Sequence, residues 1–173
     1  MRRLSTAEGI RRVVVLALAA SLSTATGGAE PGGASGSISY QSKAGLVVVK
    51  PQYAYLVKGP DTVTGNVVRR IVLSGTELAS KLRTCATMMC GDGDMTEGLT
   101  IDLDAGARIN YWLVANGQRI QYSGTAAPSS LQLTTDTAQR VAGVWRLDAR
   151  QAGGPQAQIE FDAPLLKVFA RAH

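Results

Sequence analysis

Cys85 and Cys90 are the first residues in this chain whose type and spacing suggest chemistry, in the run Cys-Ala-Thr-Met-Met-Cys. They are the only two cysteines. An even count at close spacing reads as a disulfide wherever the compartment is oxidising. Redox exchange is the alternative, but active dithiols are usually separated by two residues, with one thiolate favoured at a helix N-terminus. Cys85 falls instead at the C-terminal end of an expected helix, where the dipole opposes a thiolate. The pair is therefore read as structural. It closes a loop of six residues, a constraint worth about 2 kcal/mol by the chain-entropy formula.

The same segment carries sulfur and oxygen donors. Met88, Met89 and Met95 could join the thiols in holding Cu(I). However, bridged sulfurs are poor ligands, and methionine is also an adaptable core filler. Asp92, Asp94 and Glu97 put three carboxylates in Gly-Asp-Gly-Asp-Met-Thr-Glu, a spacing that could offer oxygens to Ca²⁺. The fuller calcium-loop pattern, with its Glu at the twelfth position, is missing, and acidic glycine-rich connections are common as solvated turns. No metal or cofactor is assigned. Met88, Met89, Asp92, Asp94 and Glu97 are the residues that would hold a cation if the loop bound one.

Catalytic chemistry has little to work with. The one histidine is His173, the last residue, so the usual base for a Ser or Cys nucleophile and the usual imidazole metal ligands are missing from the interior. Asp102 and Asp104 lie two apart on one strand face, near enough to share a site. Paired carboxylates that cleave glycosides face each other across a cleft, so these two read more simply as a wet strand face. The expectation is a protein that is not an enzyme. Trp112 is the remaining candidate. Tyr111-Trp112 sends adjacent rings to opposite faces of a strand, and Trp112, beside Arg108 and Asn110, could stack on a sugar or a partner's side chain. The converse arrangement, Trp112 inside and Tyr111 outside, fits the sequence equally.

These residues are carried by a chain that reads as mainly β. Leu99, Ile101 and Leu103 alternate with Thr100, Asp102 and Asp104; Ile109, Tyr111 and Leu113, then Ile120 and Tyr122, repeat the pattern. So do Leu131 and Leu133; Val141, Trp145 and Leu147; and Ala157, Ile159 and Phe161. Period two is the mark of a half-buried strand. Asn116-Gly117 between two such runs predicts a hairpin, 108–115 against 118–124, with a tight type I′ turn. Continuous apolar runs at 46–49, 53–57 and 67–73 suit strands covered on both faces. Ser74 and Glu77 form a capping-box pattern, and Leu78, Leu82 and Cys85 then make one apolar stripe. That predicts one helix from Gly75 to about Thr84. Residues 165–170 fit a last strand or a short helix equally. The fold expected is an antiparallel β-sandwich of seven to nine strands, Ig-like or Greek-key in type, with one short inserted helix.

Location and partners follow from the ends and the charge. Arg2, Arg3, Arg11 and Arg12 precede the apolar run Val13–Leu22, and small residues follow to Ala25 or Ala29. This reads as a signal peptide over residues 1–25, with cleavage as late as 29; general secretion fits it better than the twin-arginine route. Residues 26–37, rich in Gly, Ala, Ser and Thr, read as a flexible tether, leaving 38–173 as a single domain. The leader carries four Arg and one Glu, so three of the five formal positive charges leave with it. The remainder is near neutral, with scattered Lys and Arg, which argues against nucleic acid. No later run approaches the roughly 20 apolar residues of a membrane-spanning helix. The sequence therefore predicts a periplasmic or secreted, non-catalytic binding or interaction module whose partner is another exported protein or a carbohydrate. The alternative is a metal-responsive protein that binds Cu(I) or Ca²⁺ through residues 85–97.

Overall fold

The structure is a computed structural model, and it describes residues 32–173. The expected leader and the first part of the tether lie outside the described residues. The chain opens with β1 (Gly32–Ser42), β2 (Gly45–Val49), β3 (Tyr53–Pro60) and β4 (Val67–Ser74). Two short helices follow, α1 (Ala79–Thr84) and α2 (Cys90–Asp94). The rest is strand: β5 (Gly98–Asp102), β6 (Ile109–Ala115), β7 (Ile120–Ala126), β8 (Leu131–Asp136), β9 (Arg140–Asp148) and β10 (Gln156–Val168).

The strands form one hydrogen-bonded path, β7-β6-β5-β4-β3-β1-β10-β9-β8, with β2 attached to β1. The neighbours are antiparallel except that the end of β10, from Leu165 to Val168, runs parallel to β3. The two ends of the path are consecutive in sequence, joined only by the connection 127–130 with its single 3-10 turn. A sheet whose first and last strands are tethered so closely must curl. The result is a half-barrel rather than the expected pair of separate Ig-like layers. The coarse expectation, mainly antiparallel β with a short helical insertion, stands.

Inside the curl, Ile38, Leu56, Ile71, Leu73, Leu99, Ile101, Leu113, Trp145, Ile159 and Phe161 form the main core. The alternating runs supply it, as period two requires. A second cluster lies on the outer face of β3–β6, where Tyr55, Val57, Val72 and Val114 meet Leu78, Leu82, Met88, Met95 and Phe169. The greasy runs of β3 and β4 are thus covered twice. The run 46–49 is not, because Leu46 and Val48 stay exposed on β2, which has one strand neighbour among the described residues.

Three local expectations are corrected. Residues 32–37, read as tether, form the first half of β1 and pair with β10 from Ala34↔Phe161 to Ser37↔Gln158. Their small side chains answer a close backbone approach: Gly36 has φ +107°, and a Cβ there would sit 2.1 Å from the Gln158 carbonyl oxygen. Helix α1 starts at Ala79 rather than Gly75, because Ser74 still belongs to β4, paired with Tyr53 and Gly98. Ser74 Oγ accepts from Thr76 N–H instead of capping the helix. The start is held by Glu77, which accepts from Ala79 N–H, and by the Tyr55 hydroxyl, which accepts from Leu78 N–H at 2.8 Å. The β6–β7 hairpin forms, but pairing resumes at Ala115↔Ile120, leaving four loop residues instead of two. Asn116, Gly117 and Gln118 all have positive φ. The undecided segment 165–170 continues as strand to Val168.

The glycine argument makes a paired prediction. Gly36→Ala should lower stability by about 2 kcal/mol or more, the cost of a strained left-handed residue. Gly33→Ala, where a Cβ meets nothing within 4 Å, should change it by less than about 0.5 kcal/mol. Urea denaturation of the two variants checks this.

Candidate functional site: the outer face around Trp112

Tyr111 decides where Trp112 points. Its ring is buried in the main core, 5.3 Å from that of Trp145 and 6.1 Å from that of Tyr122 between centroids. Gly124, paired with Tyr111 on β7, leaves room for it, since a Cβ there would lie 2.5 Å from the Tyr111 hydroxyl. With Tyr111 inside, strand alternation sends Trp112 to the outer face, and of the two arrangements the sequence allowed, this is the one present. Register then builds its surroundings. Thr100, Trp112 and Ser123 lie side by side across β5, β6 and β7; one pair along are Asp102, Asn110 and Thr125. Arg70 on β4 stands opposite Asp102. Together these residues line an open concavity of about 520 Å³.

The floor of this patch is held by charge. Arg70 donates to both oxygens of Asp102, at 2.6 and 3.0 Å, and its third nitrogen donates to Asp92 Oδ2 at 2.9 Å. Burial pushes the Asp92 carboxyl above the usual carboxylate value, with Arg70 pulling the other way. Burial also works against the Arg70 charge, but Asp102 and Asp92 outweigh it, and the guanidinium stays ionised. Arg70 therefore arrives in the patch neutralised and immobile. At the rim, Arg108 Nε donates to Thr125 Oγ1 at 2.9 Å.

The boundary of the patch is α2, which the hairpin tip holds in place. The Gln118 side-chain amide donates to the carbonyls of Asp92, Gly93 and Met95 at 2.6, 2.9 and 3.3 Å. Gly117 N–H donates to Thr96 O at 3.1 Å. The widened loop of left-handed residues follows from this docking, because a two-residue turn leaves no Gln118 free to reach the helix end.

The 85–97 segment, expected as a loop, contains α2 and does not assemble a metal site among the described residues. Cys85 and Cys90 are bonded, S–S 2.11 Å. Met88 and Met95 are buried in the second core while Met89 is exposed. Asp92 faces Arg70, Asp94 faces Lys81 at 3.5 Å, and Glu97 packs beside Gly75. The disulfide instead anchors a corner. Lys167 Nζ donates to the carbonyls of Arg83 and Cys85, closing the end of α1, and lies 4.9 Å from the Phe169 ring. Met88 and Met89 N–H donate to the carbonyls of Arg171 and Ala172, so the chain is tied down almost to His173.

Asp102 and Asp104 do not share a site. Asp104 lies beyond the end of β5 and binds Arg69, at 2.8 and 3.0 Å, on the opposite face from Arg70. Arg69 also donates to Asp136 at the end of β8, clasping the mouth of the half-barrel. Sequence reasoning missed both arginines as organisers. The available signal was Arg69-Arg70, an adjacent pair that alternation sends to opposite faces; Asp102 and Asp104, two apart, read as one face, and only the end of β5 at Asp102 separates them.

No protein-family model matches the chain, and no curated protein or solved structure resembles it significantly.

Two outcomes test this electrostatic frame. Arg70→Ala leaves two largely buried carboxylates without their cation and should cost about 3 kcal/mol, the lower range for breaking a buried pair. For pH, hydrogen bonds from Arg69 hold Asp104 below its usual 3.8. A lowered carboxylate value adds stability above the unfolded value and gives it up as acid protonates the folded group. Asp104→Asn should therefore be less stable than the parent at pH 7, and the two should converge near pH 2. Chemical denaturation at both pH values measures it.

Proposed function

We propose that this chain is an exported, non-catalytic binding module of the periplasm or the extracellular space, and that its ligand is a carbohydrate held on the outer face around Trp112. One observation carries the reading. A half-exposed indole stands on a rigid sheet among Asn110, Ser123, Thr125 and the Arg70–Asp102 pair. An aromatic plane receives the apolar face of a sugar ring, while hydroxyl and amide groups at strand spacing pair with its hydroxyls. Because Arg70 is already neutralised by two carboxylates, the patch offers neutral hydrogen bonding rather than a free charge. The concavity of about 520 Å³ suits one or two sugar residues. Export is supported by the leader pattern and agrees with a bonded Cys85–Cys90 pair. The described residues also contain no helix long and apolar enough to cross a membrane.

Tryptophan fluorescence tests the proposal, because Trp145 is fully buried and Trp112 is not. Titration with soluble gluco-, manno- and chito-oligosaccharides should shift the emission with at least one class. Trp112→Ala and Asn110→Ala should each weaken that binding by at least about tenfold, the factor carried by ~1.4 kcal/mol. Silence across all the sugars, or undiminished binding in both variants, rules the reading out.

A further inference from the structure

Among the described residues, strand β2 is the one part of the sheet that branches off the main path, and β1 is its only strand partner. In an antiparallel pair every second residue turns its N–H and C=O away from the neighbour, so β2 presents an open ladder. Along it Leu46 and Val48 project on one face, 66% and 51% exposed. Lys43 and Lys50 bracket the strand, both exposed and without a carboxylate partner in any ion pair among the described residues.

Those lysines select the occupant. A second copy of β2 pairing antiparallel about Val47 sets Lys43 of one chain opposite Pro51, one residue from Lys50 of the other, and parallel in-register pairing stacks lysine on lysine. Like charges in neighbouring cross-strand positions oppose pairing, and edge lysines are a known guard against self-association. The same charges attract a strand carrying acid at both ends. We propose that β2 is a docking edge for an extended segment of another protein, in which apolar residues alternate with polar ones between acidic flanks. Main-chain hydrogen bonds to the open ladder supply affinity; Leu46 and Val48 read its alternate side chains, and Lys43 and Lys50 read its ends. This edge shares no residue with the Trp112 patch, so the two proposals stand or fall separately.

The test uses two fluorescein-labelled nonapeptides with the same Ile-Thr-Val-Thr-Ile centre, one flanked by pairs of Glu and the other by pairs of Lys. Fluorescence anisotropy should show the Glu-flanked peptide binding at least about tenfold more tightly, with the preference weakening at high salt. The double variant Lys43→Glu, Lys50→Glu should reverse the preference. Val48→Asp, at an exposed position that leaves the fold intact, should abolish binding of the Glu-flanked peptide while the melting temperature holds. Equal binding of both peptides, no binding of either, or sedimentation of the parent protein as a dimer that Val48→Asp dissociates overturns the proposal.

Discussion

Strands β3 and β4 are apolar on both faces over much of their length, and this double burial governs the rest of the architecture. Leu56, Ile71, Leu73, Leu99 and Ile101 need cover on one side; Tyr55, Val57, Val72 and Val114 need it on the other. The first face is served by curling the sheet on itself, so that β9 and β10 bring Trp145, Ile159 and Phe161 across. The second is served by α1, α2 and the C-terminal segment. Each fully buried large side chain contributes about 1.5–3 kcal/mol of transfer free energy. Leaving either face bare would thus consume much of the margin that keeps a domain folded.

The roof on the outer face is incomplete, and the proposed ligand patch lies in the part it leaves open. The helical insertion covers Tyr55, Val57, Val72 and Val114 and meets the open part of the face at Asp92. Arg70 marks that line. It binds the roof through Asp92 and the sheet through Asp102, and both carboxylates are more than four-fifths covered. Beyond it the sheet carries Asn110, Ser123 and Thr125, with Trp112 half-buried against the edge of the second cluster and Thr100 buried beside it. The disulfide and Lys167 hold the far end of the insertion, and Gln118 clamps α2 from the hairpin. A patch bounded by three such restraints needs little ordering when a ligand arrives, which lowers the entropic cost of binding.

Much of the sheet was legible in the sequence because alternation reports directly on a half-buried strand. The β6–β7 hairpin, β5, β8, β9 and β10 all fall on runs with clean period two, and the disulfide follows from spacing alone. The failures share a cause, which is that long-range contacts were decisive. Residues 32–37 have the composition of a linker, yet small side chains are what a close backbone crossing over Gln158 demands. Ser74 looks like a helix cap until its pairing with Gly98 keeps it in the sheet. Asn116-Gly117 promises the tightest turn, but docking of Gln118 on α2 opens it. Of the candidate residues, the Cys85–Cys90 bond was readable and the orientation of Trp112 was not, because alternation fixes opposite faces without naming which is inside. The carboxylates Asp92, Asp94, Asp102 and Asp104 were visible as a group, but their separate basic partners were not.

Amide hydrogen exchange followed by mass spectrometry bears most directly on the two-sided cover. If both faces of β3 and β4 are sealed, their amides around Leu56 and Val72 should be the slowest in the molecule, with β2 and β8 exchanging far sooner. Slowest exchange in β2 or β8, or a protection pattern level across the sheet, would contradict the account.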